Sequence, residues 1–112
     1  MAITRTAKKL VQSALSNAVT AKYTTPASTT TQVTEIWFAN TNTTTARKVK
    51  LLAHGLVDPG NVLIPEIMIA AKGVEIIDGS KIALATTEVL AASQDAGTDV
   101  IMTAYGVEEV TS

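Results

Sequence analysis

YTTPASTTTQVTEIWFANTNTTTARKVKL, residues 23–51, decides the fold. Thr25-Pro26 sets a turn, because the residue before a proline avoids the helical region. Within residues 31–40, Ile36 and Phe38 alternate with Glu35 and Trp37, the period of two that marks a half-buried strand. Residues 40–45 are all Asn and Thr and read as a polar loop. Residues 46–54 alternate again, with Val49, Leu51 and Ala53 against Lys48 and Lys50. Two long strands joined by a polar loop, with no catalytic constellation between them, predict a protein that works by surface and assembly.

Downstream the β pattern continues. Asp58-Pro59-Gly60 is a turn, and residues 62–70 are apolar but contain Pro65, which cannot donate to a ladder and predicts an edge or bulged strand. Residues 73–77 and 81–84 flank Asp78-Gly79-Ser80, a hairpin motif. A short strand at 88–92 and a closing strand at 98–108, entered through Asp95-Ala96-Gly97, complete about eight strands of an antiparallel sandwich or jelly roll. Upstream the pattern is ambiguous. Ala7, Leu10, Val11, Ala14, Leu15 and Ala18 follow helical spacing with Thr6 as an N-cap. The same residues also fit two short strands broken at Ser16-Asn17, and 19–23 reads as extended.

Several strands are apolar on both faces. Val100, Met102 and Ala104 share one side of the last strand, while Ile101, Tyr105 and Val107 share the other. Ile64 and Met68 oppose Leu63, Ile67 and Ile69 in the same way, and parity sets Trp37 opposite Ile36 and Phe38. A sandwich strand needs one apolar face, so the second face predicts a covering segment or a neighbouring subunit. Composition agrees. The 112 residues suffice for one modest core. Charged residues are 17%, below the ~25% of an average domain, although a small domain has much surface to solvate. With 46% hydrophobic but 4% aromatic residues, the core must be aliphatic. The net charge of -1 provides no field for nucleic acid. Without cysteine there is neither a disulfide framework nor a thiolate site. No apolar run approaches the ~20 residues of a membrane span. The N-terminus, with Arg5, Lys8 and Lys9 and an apolar run interrupted by Gln12 and Ser13, makes a poor secretory signal, so use without export is expected.

One ordered set of residues carries a resemblance. Tyr23-x-x-Pro26-Ala27 precedes a strand ending at Asn40, a Thr-rich loop and a second strand. Then come Val74-Glu75-Ile76-Ile77-Asp78-Gly79, the stretch 84–92, and a terminal strand ending in Gly106-Val107-Glu108. This order resembles the small β-sandwich virion proteins of tailed bacteriophages. It spans about residues 15–110 and matches by order and texture. It departs at Thr86-Thr87-Glu88, where related chains often have a Gly-Asp pair. The resemblance implies an extended conformation for residues 8–22. It also implies a structural role as a capsid decoration protein or a neck, tail or fibre component, commonly trimeric or set around a symmetry axis.

Chemistry finds little support. His54 is the single histidine and stands without partners at metal or triad spacing. Asp95, Gly97 and Asp99 faintly resemble a calcium loop but lack the remaining oxygen ligands and the terminal Glu. Glu108-Glu109 reads as a solvated strand end, since adjacent strand residues point to opposite faces. Arg47, Lys48 and Lys50 form the densest basic cluster; Lys48 and Lys50 share a strand face and Arg47 points the other way, so a solvated face is the reading, ahead of contact with an acidic capsid surface or a phosphate backbone. Asn42-Thr43-Thr44 matches a glycosylation acceptor without an export signal to expose it. Trp37, the lone tryptophan, fits either a core position or an interface anchor.

The sequence therefore predicts an all-β fold: an antiparallel, jelly-roll-like β-sandwich at residues 10–112 with an N-terminal arm at 1–9. The expected role is a non-enzymatic virion subunit, foremost a capsid-surface decoration protein. A neck, tail or fibre component and a receptor- or glycan-binding sandwich at a tail tip are the alternatives. The expected partners are copies of itself, as a homotrimer or higher symmetric assembly, and the major capsid protein or other virion proteins. Neither nucleic acid, membrane, metal nor cofactor is expected, and assembly would take place in the host cytoplasm. The predicted interface residues are Arg5, Lys8, Lys9, Trp37, Ile64, Met68, Val100 and Met102.

Overall fold

The computed structural model describes residues 2–111. Met1 and Ser112, the outermost residues of the expected arm and domain, lie outside them. Among the described residues there is no helix. Nine strands follow in order: β1 (Ile3–Ala14), β2 (Thr20–Thr24), β3 (Thr29–Asn40), β4 (Arg47–Ala53), β5 (Val62–Ile69), β6 (Val74–Asp78), β7 (Ala83–Leu84), β8 (Val89–Gln94) and β9 (Val100–Thr111).

Their pairing is nested: β1 with β9, β2 with β8, β3 with β6 and β7, and β4 with β5. This is one long antiparallel hairpin, with the β4–β5 turn at its tip, rolled so that successive pairs fall alternately in two sheets. Sheet A runs β1-β9-β3-β6, with β7 also on β3, and sheet B runs β2-β8-β4-β5. The result is a jelly roll, as the spacing of short strands and turns predicts. Pro65 lies in β5, the edge of sheet B, beside a register shift against β4, which satisfies its missing donor.

The inner faces bury an aliphatic core around Phe38, with the ring of Tyr23 buried in the same cluster. Phe38, Ile36, Val33, Val49, Leu51, Ile69, Leu84, Leu90, Val100 and Met102 are all essentially inaccessible. At ~25 cal/mol per Å² of apolar area removed from water, this burial is the main force holding the two sheets together.

Two expectations change, and the ambiguity left open at residues 7–18 resolves to the two strands broken at Ser16-Asn17. First, residues 3–9 are strand rather than arm. They form the first half of β1 and pair residue by residue with Tyr105–Thr111. The helical spacing at 7–18 belongs to a bulged strand. Between Lys9 and Val11 the register shifts, so that Leu10 is the extra residue. Both Leu10 and Val11 then pack against the core, which mimics an i, i+4 pattern with Leu15. Second, Asp78-Gly79-Ser80 is no hairpin turn, because β6 and β7 both pair with β3 rather than with each other. The four residues between them form an excursion in one interrupted strand. Gly79 N–H returns to Thr34 O, and a Cβ on Gly79 would stand 2.5 Å from Val33 Cγ1. That close approach, and not a tight reversal, requires the glycine.

Candidate assembly surface

β9 is the axis of sheet A, paired along its length with β1 on one side and β3 on the other. The registers define rows across the outer face. Ala14, Ile101, Ala39 and Val74 form the first row, and Gln12, Thr103, Trp37 and Ile76 the second. Lys9, Tyr105, Glu35 and Asp78 form the third, and Ala7, Val107, Gln32 and Ala83 the fourth. Arg5, Glu109 and Thr30 follow. The first two rows contain most of the apolar surface. Trp37 is 39% exposed, Val74 48% and Ile76 50%. Tyr105 extends the patch into the third row, where Lys9, Glu35 and Asp78 begin a charged rim.

The predicted interface residues divide accordingly. Trp37 lies on this outer face, while Ile36 and Phe38 fill the core beneath it. Val100 and Met102 are fully buried in the core and Ile64 is half-buried against it; these three are packing residues, which corrects their assignment to an interface. The parity argument identified the two faces of β9, but the solvent side holds Ile101, Tyr105 and Val107. Met68 is exposed on sheet B, paired across the strands with Lys48. Arg5 meets Glu109 at 2.7 Å, Lys8 meets Glu108 at 3.2 Å and Lys9 donates to Gln12 Oε1 at 3.1 Å.

Beyond Tyr105 the sheet changes character inside as well. Tyr23, on β2, donates its hydroxyl proton to Glu108 Oε2 at 2.5 Å and lies 2.7 Å from Thr31 Oγ1. Glu108 is only 8% exposed, which corrects its reading as a solvated strand end. Burial, together with the adjacent carboxylate, pushes the Tyr23 phenol up to about 12. The hydrogen bond from Tyr23 and the ammonium of Lys8 hold Glu108 below the usual carboxylate range. Two motifs far apart in sequence, the tyrosine of the 23–27 turn and the Gly106-Val107-Glu108 ending, thus meet in space. Gly106 belongs there because a Cβ would come within 2.6 Å of Gln32 O and 2.9 Å of Leu10 Cδ1.

The loops are tied by charge. Arg47 holds Asp99 through Nε and Nη2, and Asn42 and Gln94 donate to the same carboxylate at 2.8 Å. These donors drive Asp99 far below the usual range, with Arg47 the main cause. The segment resembling a calcium loop is therefore bound to an arginine of the facing strand. Lys48 and Lys50 pair with Glu66 and Asp58, so each member of the basic cluster has its own carboxylate. His54 Nδ1 lies 3.0 Å from Glu88. Among the described residues no three His, Cys, Asp or Glu gather as a metal site. Two shallow open grooves, of about 280 and 370 Å³, are lined without histidine or aromatic rings.

No protein-family model matches the sequence, and no curated protein does. Solved structures do share the fold. The subunit of Bacillus endospore appendages, described as a family of disulfide-linked pili, aligns with a TM-score of 0.57 at 9% identity, over 98% of this chain and 89% of that one. The virus-like particle of the extra small virus of the giant freshwater prawn Macrobrachium rosenbergii aligns with a TM-score of 0.53 at 9% identity, over 100% of this chain and 82% of that one. At these identities the likeness is one of fold.

Proposed function

We propose that this chain is a structural subunit of a bacteriophage particle, acting as a capsid-surface decoration protein through association with its own copies and with the shell beneath. The observation that carries this reading is the outer face of sheet A. Its first two rows place Trp37, Ile76, Val74 and Ile101 on the solvent side of a sheet whose other side is already a complete core. Exposed tryptophan framed by aliphatic residues and a charged rim has the anatomy of an interface centre. The fold is one that a virus-like particle and a pilus also use, which supports a building-block role. This chain contains no cysteine, so its assembly would rest on packing rather than on disulfide links. Among the described residues no acid–base or nucleophile constellation argues for chemistry, and the His54 ring pairs with Glu88.

Light scattering across a dilution series tests the reading. The expected result is a trimer or larger symmetric particle that dissociates on dilution, with Trp37→Ala shifting the midpoint at least tenfold to higher concentration. The melting temperature of the dilute subunit should stay close to the parent's. A monomer at every concentration would overturn self-association, and a Trp37→Ala variant that only unfolds would return Trp37 to the core.

A further inference from the structure

The ends of sheet A differ in protection and in charge. Edges that must stay free are normally blunted by bulges, prolines or charges. Sheet B obeys this rule fully: β5 has Pro65 and a register shift, and β2 has a register shift between Ala21 and Tyr23. β6 has neither proline nor bulge, only the charges of Glu75 and Asp78. Its sequence is Val-Glu-Ile-Ile-Asp, its register on β3 is unbroken, and Val74 and Ile76 are half exposed at a free edge. At the opposite edge, β1 contains Arg5, Lys8 and Lys9 and no acidic residue, whereas β6 contains Glu75 and Asp78 and no basic one.

The direction of the strands completes the argument. β1, β9, β3 and β6 alternate in sense, so β1 runs antiparallel to β6. A second copy displaced sideways along the sheet, without being turned over, would bring its β1 against β6 as the next antiparallel strand. Its outer face would remain outward. Continuing the rows sets the incoming Ala14 beside Val74, Gln12 beside Ile76 and Lys9 beside Asp78, an opposite-charge cross-strand pair.

We infer that copies of this chain join head to tail by β-augmentation, the β1 edge of one adding to the β6 edge of the next. Such an interface is heterologous, so it closes into a ring or continues as a filament. It flanks Val74 and Ile76 with Ala14 and Gln12 of the next copy and pairs the ladder groups that the two edges turn outward, where Ala14 O already accepts from Lys22. The inference rests on the self-assembly reading above and adds to the Trp37 face a second, lateral contact through the strand edges.

Because the chain has no cysteine, disulfide trapping is a clean test. Facing residues of an antiparallel pair lie about 4.5–5.5 Å apart between Cα atoms, within the ~4.4–6.8 Å that a disulfide spans. Lys9→Cys and Asp78→Cys are prepared separately, mixed and oxidised. A second pair, Gln12→Cys with Ile76→Cys, probes the next row and spares the hydrogen bond from Ser80 N–H to Asp78. The expected result is a covalent heterodimer from each mixture, little product from any single variant, and a ladder of multimers when both cysteines share one chain. Homodimers of Lys9→Cys alone, formed as readily as heterodimers, would replace the head-to-tail contact by a symmetric β1–β1 contact. Absence of cross-links in a protein that still assembles by light scattering would overturn the edge contact and leave self-assembly standing. Absence of cross-links in a strictly monomeric protein would overturn both.

Discussion

The two halves of sheet A use the same three strands in opposite ways. In one half, β3 and β9 are apolar on both faces, with Phe38, Ile36, Val100 and Met102 inside and Trp37 and Ile101 outside. In the other half polar groups enter both faces, with Thr29, Thr31 and Glu108 inside beside Val33 and Leu84, and Arg5, Gln32 and Glu109 outside beside Ala7 and Val107. The boundary is physical. Both neighbours of β9 carry an extra residue at the same level, Leu10 in β1 and Thr34 in β3, flanking Tyr105 and Gly106. Bulges sharpen the local twist, and here they also reset the parity of both outer strands. The lesson is that Trp37, Val74 and Ile76 cluster with Tyr105 in one half, while other exposed apolar side chains, Ile3 and Val110 on this sheet and Leu63 and Met68 on sheet B, stand apart from them. The polar half shows that this chain can solvate an outer face when it has no other use for it.

The largest effect that would test the contrast is in the apolar half. Phe38 is fully buried and is the one phenylalanine of the chain, so Phe38→Ala leaves a cavity that aliphatic neighbours fill only in part. A loss of about 3–5 kcal/mol is expected in urea unfolding, with little dependence on pH. A loss under 1 kcal/mol would mean that the sheets are held elsewhere.

The polar half should respond less, and with pH. Glu108→Gln keeps an acceptor for Tyr23 but removes the charge that Lys8 meets. The expected cost at neutral pH is about 1.5–3 kcal/mol, the worth of hydrogen bonds to a charged group. Because folding lowers the Glu108 value, its contribution is present above the unfolded value of 4.5 and is lost as pH falls through the folded one. The Gln variant should therefore lose less stability than the parent on acidification. Tyr23 gives the opposite limb. Its folded value is raised from 10.0 to about 12, so its contribution is full below pH 10 and is lost as pH climbs toward 12. Tyr23→Phe should flatten the stability curve over that window, as read by denaturant midpoints. Equal alkaline slopes for variant and parent would remove Tyr23 from the account.

The apolar half was also the legible half. Ile36, Phe38, Val49 and Leu51 announce their strands by simple alternation, and the solvent position of Trp37 follows from the same parity. What escaped the sequence lies where parity is reset or where a partner is remote. Leu10 mimics a helix because a bulge turns it to the same side as Val11. Val100 and Met102 stand on the core side because that face of β9 packs with Val49, Leu51 and Leu90 of sheet B, which no local pattern states. Glu108 is buried through a tyrosine 85 positions away, and Asp99 is claimed by Arg47 across 52. The Asp78-Gly79-Ser80 motif marks a turn in most contexts, yet here the glycine answers to Val33 on the facing strand. Local propensity finds strands; which side they bury is decided by partners that only the nested pairing brings together.

The smallest expected effect tests whether the polar half depends on its outside at all. Arg5 and Glu109 make a short ion pair, 2.7 Å, but both are accessible, the Arg5 side chain at 72%. In water such a pair gains little, because solvent screens the attraction and holding two side chains in one geometry costs entropy. Arg5→Ala should leave the denaturant midpoint unchanged within error, at low and high salt alike, while Glu108→Gln on the inner face of the same strands moves it clearly. If Arg5→Ala proved as costly as Glu108→Gln, the first half of β1 would be held by its outer charges. The division of sheet A into a half that packs and a half that hydrogen-bonds inward would then fail, because β1 would be stapled from the solvent side.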